Sequence, residues 1–434
     1  MAERSIELPW GGGTLSFELP PGWELLGRVE PSAPPPCADL GAELASCLAS
    51  PIGSPPLAEL ARGARRVALV IDDDSRPTPV ALLVPALLAE LARAGLPRSA
   101  VTVVPALGLH RPMTEEETAK RLGIEGLATS THLADDEAAL SFLGTTRRGS
   151  PVWINRVVAE SDLVVGVGCI EPHIIAGAGG GAKIIVPGVA GRATIAHNHS
   201  INCRPESYNN VGRPVEANPM RLDLEEATAM LRPPVFVLNA VLDPKKEVVR
   251  LVAGHPVAAH REGARTSYAI YGAPVPGPAD VVVSSSRPMD QDLRQGVKSL
   301  ANTLGAVRKG GTMIVLVRAD EGVGVFGLAT MRLPVGRRTL RFLAPLLLPL
   351  VARLRIKGLG EEDRFFLYFA LQAMRKAELL IVAPTIPAEV KANVVIARFP
   401  DSLEEALEIA RRRHRRARVL VFPFGGSTFP ELPT

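Results

Sequence analysis

The chain has 434 residues, 47% of them hydrophobic and 22% charged, and a formal net charge of +4. That length exceeds one ordinary core and calls for two domains or three, while the composition is that of a globular, enzyme-sized protein and excludes a disordered or fibrous one. Much of the small charge excess lies in the run Arg411-Arg-Arg-His-Arg-Arg-Ala-Arg418, which closes a helical pattern where cations complement the helix dipole; it reads as a solvated helix end in preference to a nucleic-acid patch.

In chain order, the opening MAERSIELPWGGGTLSFEL alternates apolar and polar residues around a glycine turn and predicts a hairpin. It has no apolar core of signal-peptide type. Short β-branched runs followed by helical patterns then give the rhythm of an α/β fold with mostly parallel sheets. Strands are expected at Arg66–Asp72, Val101–Pro105, Leu163–Gly168 and Val235–Leu242, and helices at Val80–Ala94 and from Glu115 to Leu122. Gly272-Ala-Pro-Val-Pro-Gly-Pro278 reads as a stiff hinge, dividing an N-terminal cofactor-binding domain (1–273) from a C-terminal α/β domain (274–434) whose last residues return to the first. The second domain is expected to run strand Asp280–Ser284, helix Gln291–Val307, strands Thr312–Val317 and Leu379–Val382, helix Leu403–Arg416 and strand Val419–Phe422. The most apolar segment, Phe342–Ala352, is interrupted by Pro345 and Pro349 and falls short of the ~20 residues of a membrane helix. Cys37, Cys47, Cys169 and Cys203 show neither metal spacing nor a disulfide framework. The expectation is a cytoplasmic protein with no membrane segment and no nucleic-acid partner.

Ligands of open α/β sheets sit beyond the carboxyl ends of the strands, so the loops there carry the chemistry. Asp72-Asp-Asp-Ser-Arg-Pro-Thr-Pro79 has hydroxyls and prolines suited to a helix cap, but Arg76 is a cation where the helix dipole disfavours one, which points to a bound carboxylate or phosphate. In Ala106-Leu-Gly-Leu-His-Arg-Pro-Met-Thr-Glu-Glu-Glu117, Thr114 and Glu117 form a capping box and His110 precedes it on the loop. Glu171-Pro-His173 leads into Gly177-Ala-Gly-Gly-Gly-Ala-Lys183. This is no nucleotide-hydrolysing P-loop, because Ala182 and Ile184 stand where Gly and Ser or Thr are needed. Its glycines suit a metal-free anion nest, and Lys183 suits a phosphate contact or a nucleophilic amine. His197 and His199 are of the element type for zinc or nickel, a weak signal alone. In Arg287-Pro-Met-Asp-Gln-Asp-Leu-Arg-Gln-Gly-Val-Lys298, Arg294 and Lys298 are four apart beside Gln295, and two like charges at that spacing suit a bound anion.

Taken together, DDDSRPTP, ALGLHRPMTEEE, PHIIAGAGGGAKIIVPG, a histidine sixteen residues beyond the lysine, and RQGVK resemble the lactate racemase family, whose members use a nickel-pincer nucleotide. The resemblance implies two α/β domains with the active site in the cleft between them, and racemisation of a 2-hydroxy acid by reversible hydride transfer through a 2-oxo acid. It assigns Lys183 as the covalent cofactor tether, His199 as the nickel ligand with His197 a bystander, and His110 and His173 as the acid/base pair. Asp72 and Gly177, Gly179, Gly180 and Gly181 would support the nucleotide. Arg76 and Lys298, with Gln295, would hold the substrate carboxylate. It also implies cofactor maturation enzymes as partners. Lactate-specific members carry tyrosine where this chain has Arg294, so malate stands beside short aliphatic hydroxy acids as substrate. Two other classes remain: a nicotinamide-dependent dehydrogenase, for which the GxGxxG fingerprint is missing, and a non-catalytic nucleotide-binding or cofactor-carrier protein, which would not need His110 and His173.

Overall fold

The computed structural model describes residues 5–324, 327–330, 335–353 and 360–433. The chain forms two compact α/β units, one of residues 1–32, 202–212 and 269–434, the other of 33–201 and 213–268.

The larger sheet of the second unit has six strands in the order Val248–Gly254, Val235–Leu242, Leu163–Ile170, Val67–Asp72, Val101–Ala106 and Ala128–Thr129. All pairings are parallel except that of the edge strand Val248–Gly254. Val67–Asp72 and Leu163–Ile170 are buried along their whole length, which is why they read as unbroken β-branched runs with no polar alternation. The chain proceeds outward from Val67–Asp72 to Val101–Ala106 and later returns to the opposite side of Val67–Asp72 as Leu163–Ile170. The topological switch point therefore lies between Val67–Asp72 and Leu163–Ile170, and the loops Asp73–Thr78 and Glu171–Lys183 leave its carboxyl edge.

The other unit is built on a five-stranded, wholly parallel sheet ordered Glu378–Val382, Val307–Leu316, Ala279–Ser285, Ala417–Phe422 and Trp23–Arg28. Its switch point falls between Ala279–Ser285 and Ala417–Phe422, so the segment carrying Arg294, Gln295 and Lys298 also leaves a sheet at its switch point.

Several expectations change here. The N-terminal hairpin forms, Ser5–Trp10 against Gly13–Glu18, but the strand after it joins the C-terminal sheet, with the Trp23 indole donating to His414 O at 2.8 Å. A linear division at 273 separates these partners. The proline-glycine stretch taken as a hinge begins as a strand, Gly272–Pro274, paired with Phe429–Glu431 in the same unit. Gln291–Val307 is not one helix: two short helices, Leu293–Gly296 and Lys298–Thr303, and a 3-10 turn precede the strand that starts at Val307. Pro345 and Pro349 do not interrupt their segment, which is a helix from Arg337 to Arg353. Both prolines lie on its exposed face, where water can serve the carbonyls they leave without donors. Among the described residues no helix is long and apolar enough to cross a membrane.

Trp23 ties the strand Trp23–Arg28 to the far end of the chain through both its buried ring and its indole N–H. Trp23→Ala is expected to cost roughly 3–5 kcal/mol, read as a lowered urea midpoint or Tm.

Candidate active site

At the carboxyl edge of the six-stranded sheet, the adjacent acids Asp72 and Asp73 have different tasks. Asp72 is buried and accepts from the Thr78 hydroxyl and, at 2.7 Å, from the Arg121 guanidinium. Burial pushes its carboxyl up to about 6, against the pull of Thr78, Arg121 and Arg76. Asp73 accepts from the Ser75 hydroxyl and from His110 Nδ1 at 2.5 Å. Burial alone would raise the Asp73 carboxyl, but the hydrogen bonds from His110 and Ser75 outweigh it and hold it below the ordinary range. The hydroxyls read from sequence as helix caps are thus committed to locking these acids, and Val80–Arg93 starts with no side-chain cap. Arg76 is half-buried in the turn between them, its N–H donating to Asp73 O at 3.2 Å.

His110 itself is exposed on the next loop, where the Asp73 carboxylate fixes its proton on Nδ1. The capping box Thr114/Glu117 forms beyond it, and Gly108 N–H donates to Gly188 O at 2.8 Å, which joins the His110 loop to the turn after Lys183.

The third loop begins with Glu171, whose carboxylate meets Lys246 at 2.6 Å, and Pro172–His173, which pairs antiparallel with Gly177–Ala178. His173 is half-buried, and its Nδ1 accepts the amides of Ile175 at 3.2 Å and Ala176 at 3.1 Å. Two donors aimed at Nδ1 leave the proton of the neutral ring on Nε2, the reverse of His110.

Gly177, Gly180 and Gly181 have φ of 77°, 70° and 61°, the left-handed region that favours glycine. A Cβ at Gly180 would meet Ile170 Cγ1 at 2.6 Å, and one at Gly181 would meet Pro256 O and His260 Cβ at 2.6 Å. The glycines at 180 and 181 are therefore required by the protein behind the loop, a reason separate from the anion nest expected from sequence. Lys183 follows, half-buried in the 3-10 turn Gly181–Ile184.

Behind this loop lies a group of side chains that sequence reasoning missed. Arg221 is fully buried and donates to Ala176 O, Ala178 O and, at 3.2 Å, Gly180 O. His260 Nε2 donates to Gly179 O at 2.9 Å, Asn218 to Ile175 O at 2.8 Å, and Asn239 Oδ1 accepts Gly181 N–H at 2.9 Å. Arg221, Asn239 and His260 sit within ordinary helix and strand patterns where no local signal marks them, and Asn218 reads locally only as the cap before Pro219.

His197 and His199 share the helix Arg192–Ser200, where two positions differ by about 200° and face apart. His197 Nδ1 donates at 2.8 Å to Ser150, which donates to the buried Asp223 carboxylate, so His197 is engaged in holding the helix. His199 is half-buried on another face. Among the described residues no group of three or more His, Cys, Asp or Glu could hold a metal ion.

In the other unit, Asp292 caps the short helix of Arg294 and Gln295 by accepting Gln295 N–H at 2.7 Å. Arg294 N–H donates to Val323 O at 3.2 Å, pinning the segment to the turn after Val317. Arg294, Gln295 and Lys298 are all half-buried.

These arrangements can be set beside known proteins. Residues 10–210 match the lactate racemase N-terminal domain. Lactate racemase of Thermoanaerobacterium thermosaccharolyticum is 31% identical over 329 residues, 74% of this chain and 76% of that protein. The chain belongs to the lactate racemase family. Lactate racemase of Lactiplantibacillus plantarum is 33% identical over 287 residues, 64% of this chain and 66% of that protein. The solved structure of the T. thermosaccharolyticum lactate racemase apoprotein is similar with a TM-score of 0.85 at 26% identity, over 98% of this chain and 100% of that one. The chain is accordingly an enzyme of the isomerase class, and the α/β fold with mostly parallel sheets is that of the family.

Not every histidine in such an enzyme is free to titrate. His132 is buried, donates to Ala190 O at 3.1 Å, and is pushed by burial down to about 4. The unfolded chain takes up a proton near pH 6.5 that the folded ring refuses until about 4, so this contribution is complete above 6.5 and is lost as pH falls toward 4. The loss amounts to roughly 3 kcal/mol. His132→Gln should therefore flatten the fall in urea midpoint between pH 6.5 and 4 relative to wild type.

Proposed function

We propose that this enzyme racemises a 2-hydroxy acid, a short aliphatic one such as lactate or else malate, with a nickel-pincer nucleotide tethered through Lys183. The observation that carries the reading is the opposite hydrogen bonding of His110 and His173 on two loops of one sheet edge. Inverting a carbinol carbon through a planar 2-oxo acid calls for one group that takes the hydroxyl proton and another that donates to the oxygen. His110, with its proton on Nδ1 toward Asp73, offers Nε2 as the base. His173 rests with its proton on Nε2 and Nδ1 occupied by two amides; as the acid it is the imidazolium, a second proton on Nδ1 replacing those amide bonds, and it donates from Nε2. The roles exchange for the other enantiomer, His173 then taking the hydroxyl proton at Nε2 with its remaining proton on Nδ1.

The residues present fit the proposed cofactor. A metal held at His199 lacks further side-chain donors in any three-membered group among the described residues, so its remaining ligands would come from the bound group, as a pincer supplies them. The positively charged floor beneath the Gly177–Gly181 loop suits a phosphate. When bound, the nucleotide supplies a hydride acceptor that spares the substrate a carbanion. Lys183 would tether it and His199 hold its nickel, while the Gly177, Gly179, Gly180 and Gly181 backbone lies against its phosphate. Asp72 acts through its bonds to Thr78 and Arg121, which shape the neighbouring loop. Arg76 and Lys298, with Gln295, would bind the substrate carboxylate by charge-assisted hydrogen bonds, and Arg294 would take the second carboxylate of malate. The active protein requires the enzymes that build this cofactor, and we place it with them in the cytoplasm.

Protein produced together with those enzymes should interconvert L- and D-lactate, followed by chiral chromatography, and should carry the mass of one mononucleotide that Lys183→Ala lacks. His110→Gln and His173→Gln should each lower kcat/KM at least 100-fold while keeping that mass, and Asp73→Asn should lower it about tenfold or more. Malate turnover in the same assay distinguishes the two substrate classes. An active enzyme of unmodified mass, or histidine variants of wild-type activity, would overturn the reading.

A further inference from the structure

Arg221 is an unusual group to bury. Its partners among the described residues are three backbone carbonyls, while the nearby Glu225 carboxylate is held in a bidentate pair by Arg261 at 2.7 Å. Burial draws the guanidinium down only to about 10, so it carries its charge at neutral pH. Glu225 supports that charge without bonding to it, being paired with Arg261, which also meets Glu216 at 3.4 Å; among the described residues Arg221 has no carboxylate hydrogen-bonded to it and gains from a directly placed counter-ion. His260 adds no second charge there. Its burial, and then Arg221 and Arg261, depress its pKa well below the ordinary value, and Arg261 donates to its Nδ1, leaving the Nε2 proton for Gly179 O.

The carbonyls so engaged, at 176, 178, 179 and 180, all turn inward. A trans peptide sets its N–H opposite its carbonyl. Of the four opposed amides, that of Gly177 lies in the strand pairing with His173, Gly179 N–H is used by Glu171 O and Gly181 N–H by Asn239. Gly180 N–H, opposite the carbonyl that His260 holds, has no hydrogen bond among the described residues, and Gly180 is half-buried and not sealed in the core. The loop thus presents an unused donor on one side and a buried positive charge beneath it.

We infer that Arg221 and His260 are positioning residues that turn the Gly177–Gly181 backbone into an anion cradle, and that the phosphate of the bound nucleotide adds a further counter-charge to Arg221. This rests on the proposed cofactor reading and deepens it. The effect acts on the phosphate and leaves contacts to the ring and ribose untouched. Neither residue touches the reacting atoms.

The test compares nicotinate mononucleotide with nicotinate riboside, which lacks the phosphate, for binding to the apoprotein by calorimetry. Wild type should bind the mononucleotide at least tenfold more tightly than the riboside. In Arg221→Gln that ratio should fall close to one with riboside affinity unchanged, and His260→Gln, whose amide still donates to Gly179 O, should keep most of it. A preserved ratio in Arg221→Gln, or an equal loss for both ligands, would overturn the inference while leaving the cofactor reading intact. Wild type that binds the mononucleotide no better than the riboside would remove the cofactor reading and this inference together. Should Arg221→Gln fail to fold, His260→Ala takes its place: the ratio should drop several-fold and backbone hydrogen exchange at 176–181 should quicken with the rest of the chain unchanged. An unchanged ratio there would equally overturn it.

Discussion

Parallel pairing sends every strand of a sheet toward the same edge, so segments far apart in the chain leave it side by side, and where the strand order reverses a gap opens between them. In this chain Asp73, His110 and the loop from Glu171 to Lys183 leave one edge side by side because the strands that precede them are neighbours, although Asp73 and Glu171 are 98 positions apart in sequence. The same constraint acts separately in the other unit, where Arg294, Gln295 and Lys298 leave the switch point of a second parallel sheet.

What the rule does not do is set protonation. That falls to side chains one layer back. The Asp73 carboxylate and the Ile175 and Ala176 amides approach Nδ1 of two histidines from opposite chemical directions, one accepting a proton and the other donating. Buried polar groups are expensive unless fully engaged, and the groups around the glycine loop meet that demand with backbone partners: Arg221, His260, Asn218 and Asn239 between them bind every residue from Ile175 to Gly181 except Gly177.

Much of this was legible in the sequence where the signal is local. The β-branched runs at 67–72, 163–170 and 235–242 and the Thr114/Glu117 box declare themselves through burial and capping chemistry that depend on near neighbours. His110, His173, Lys183 and His199 were visible as unusual types beyond strand ends or in a family pattern. Long-range pairings were not. Nothing in Trp23–Arg28 tells which sheet it joins, because a parallel partner is chosen by tertiary packing. The prolines at 345 and 349 argue locally against a helix, and solvent exposure of that face overrides them. Asp73 was passed over for its neighbour Asp72, since adjacent acids differ only in which way the strand end turns them. Arg221 lies in an unremarkable helix, and its role is set by a loop 41 to 45 residues earlier.

The central claim is that the α-hydrogen of the substrate leaves and returns as a hydride while His110 and His173 handle the hydroxyl proton. L-Lactate deuterated at the α-carbon, incubated in ordinary water with the cofactor-loaded enzyme, tests this most directly. The account predicts D-lactate with its deuterium retained, because a transferred hydride does not exchange with solvent. D-Lactate that has lost its deuterium to water would mean that a base removes the α-hydrogen as a proton, and would contradict it.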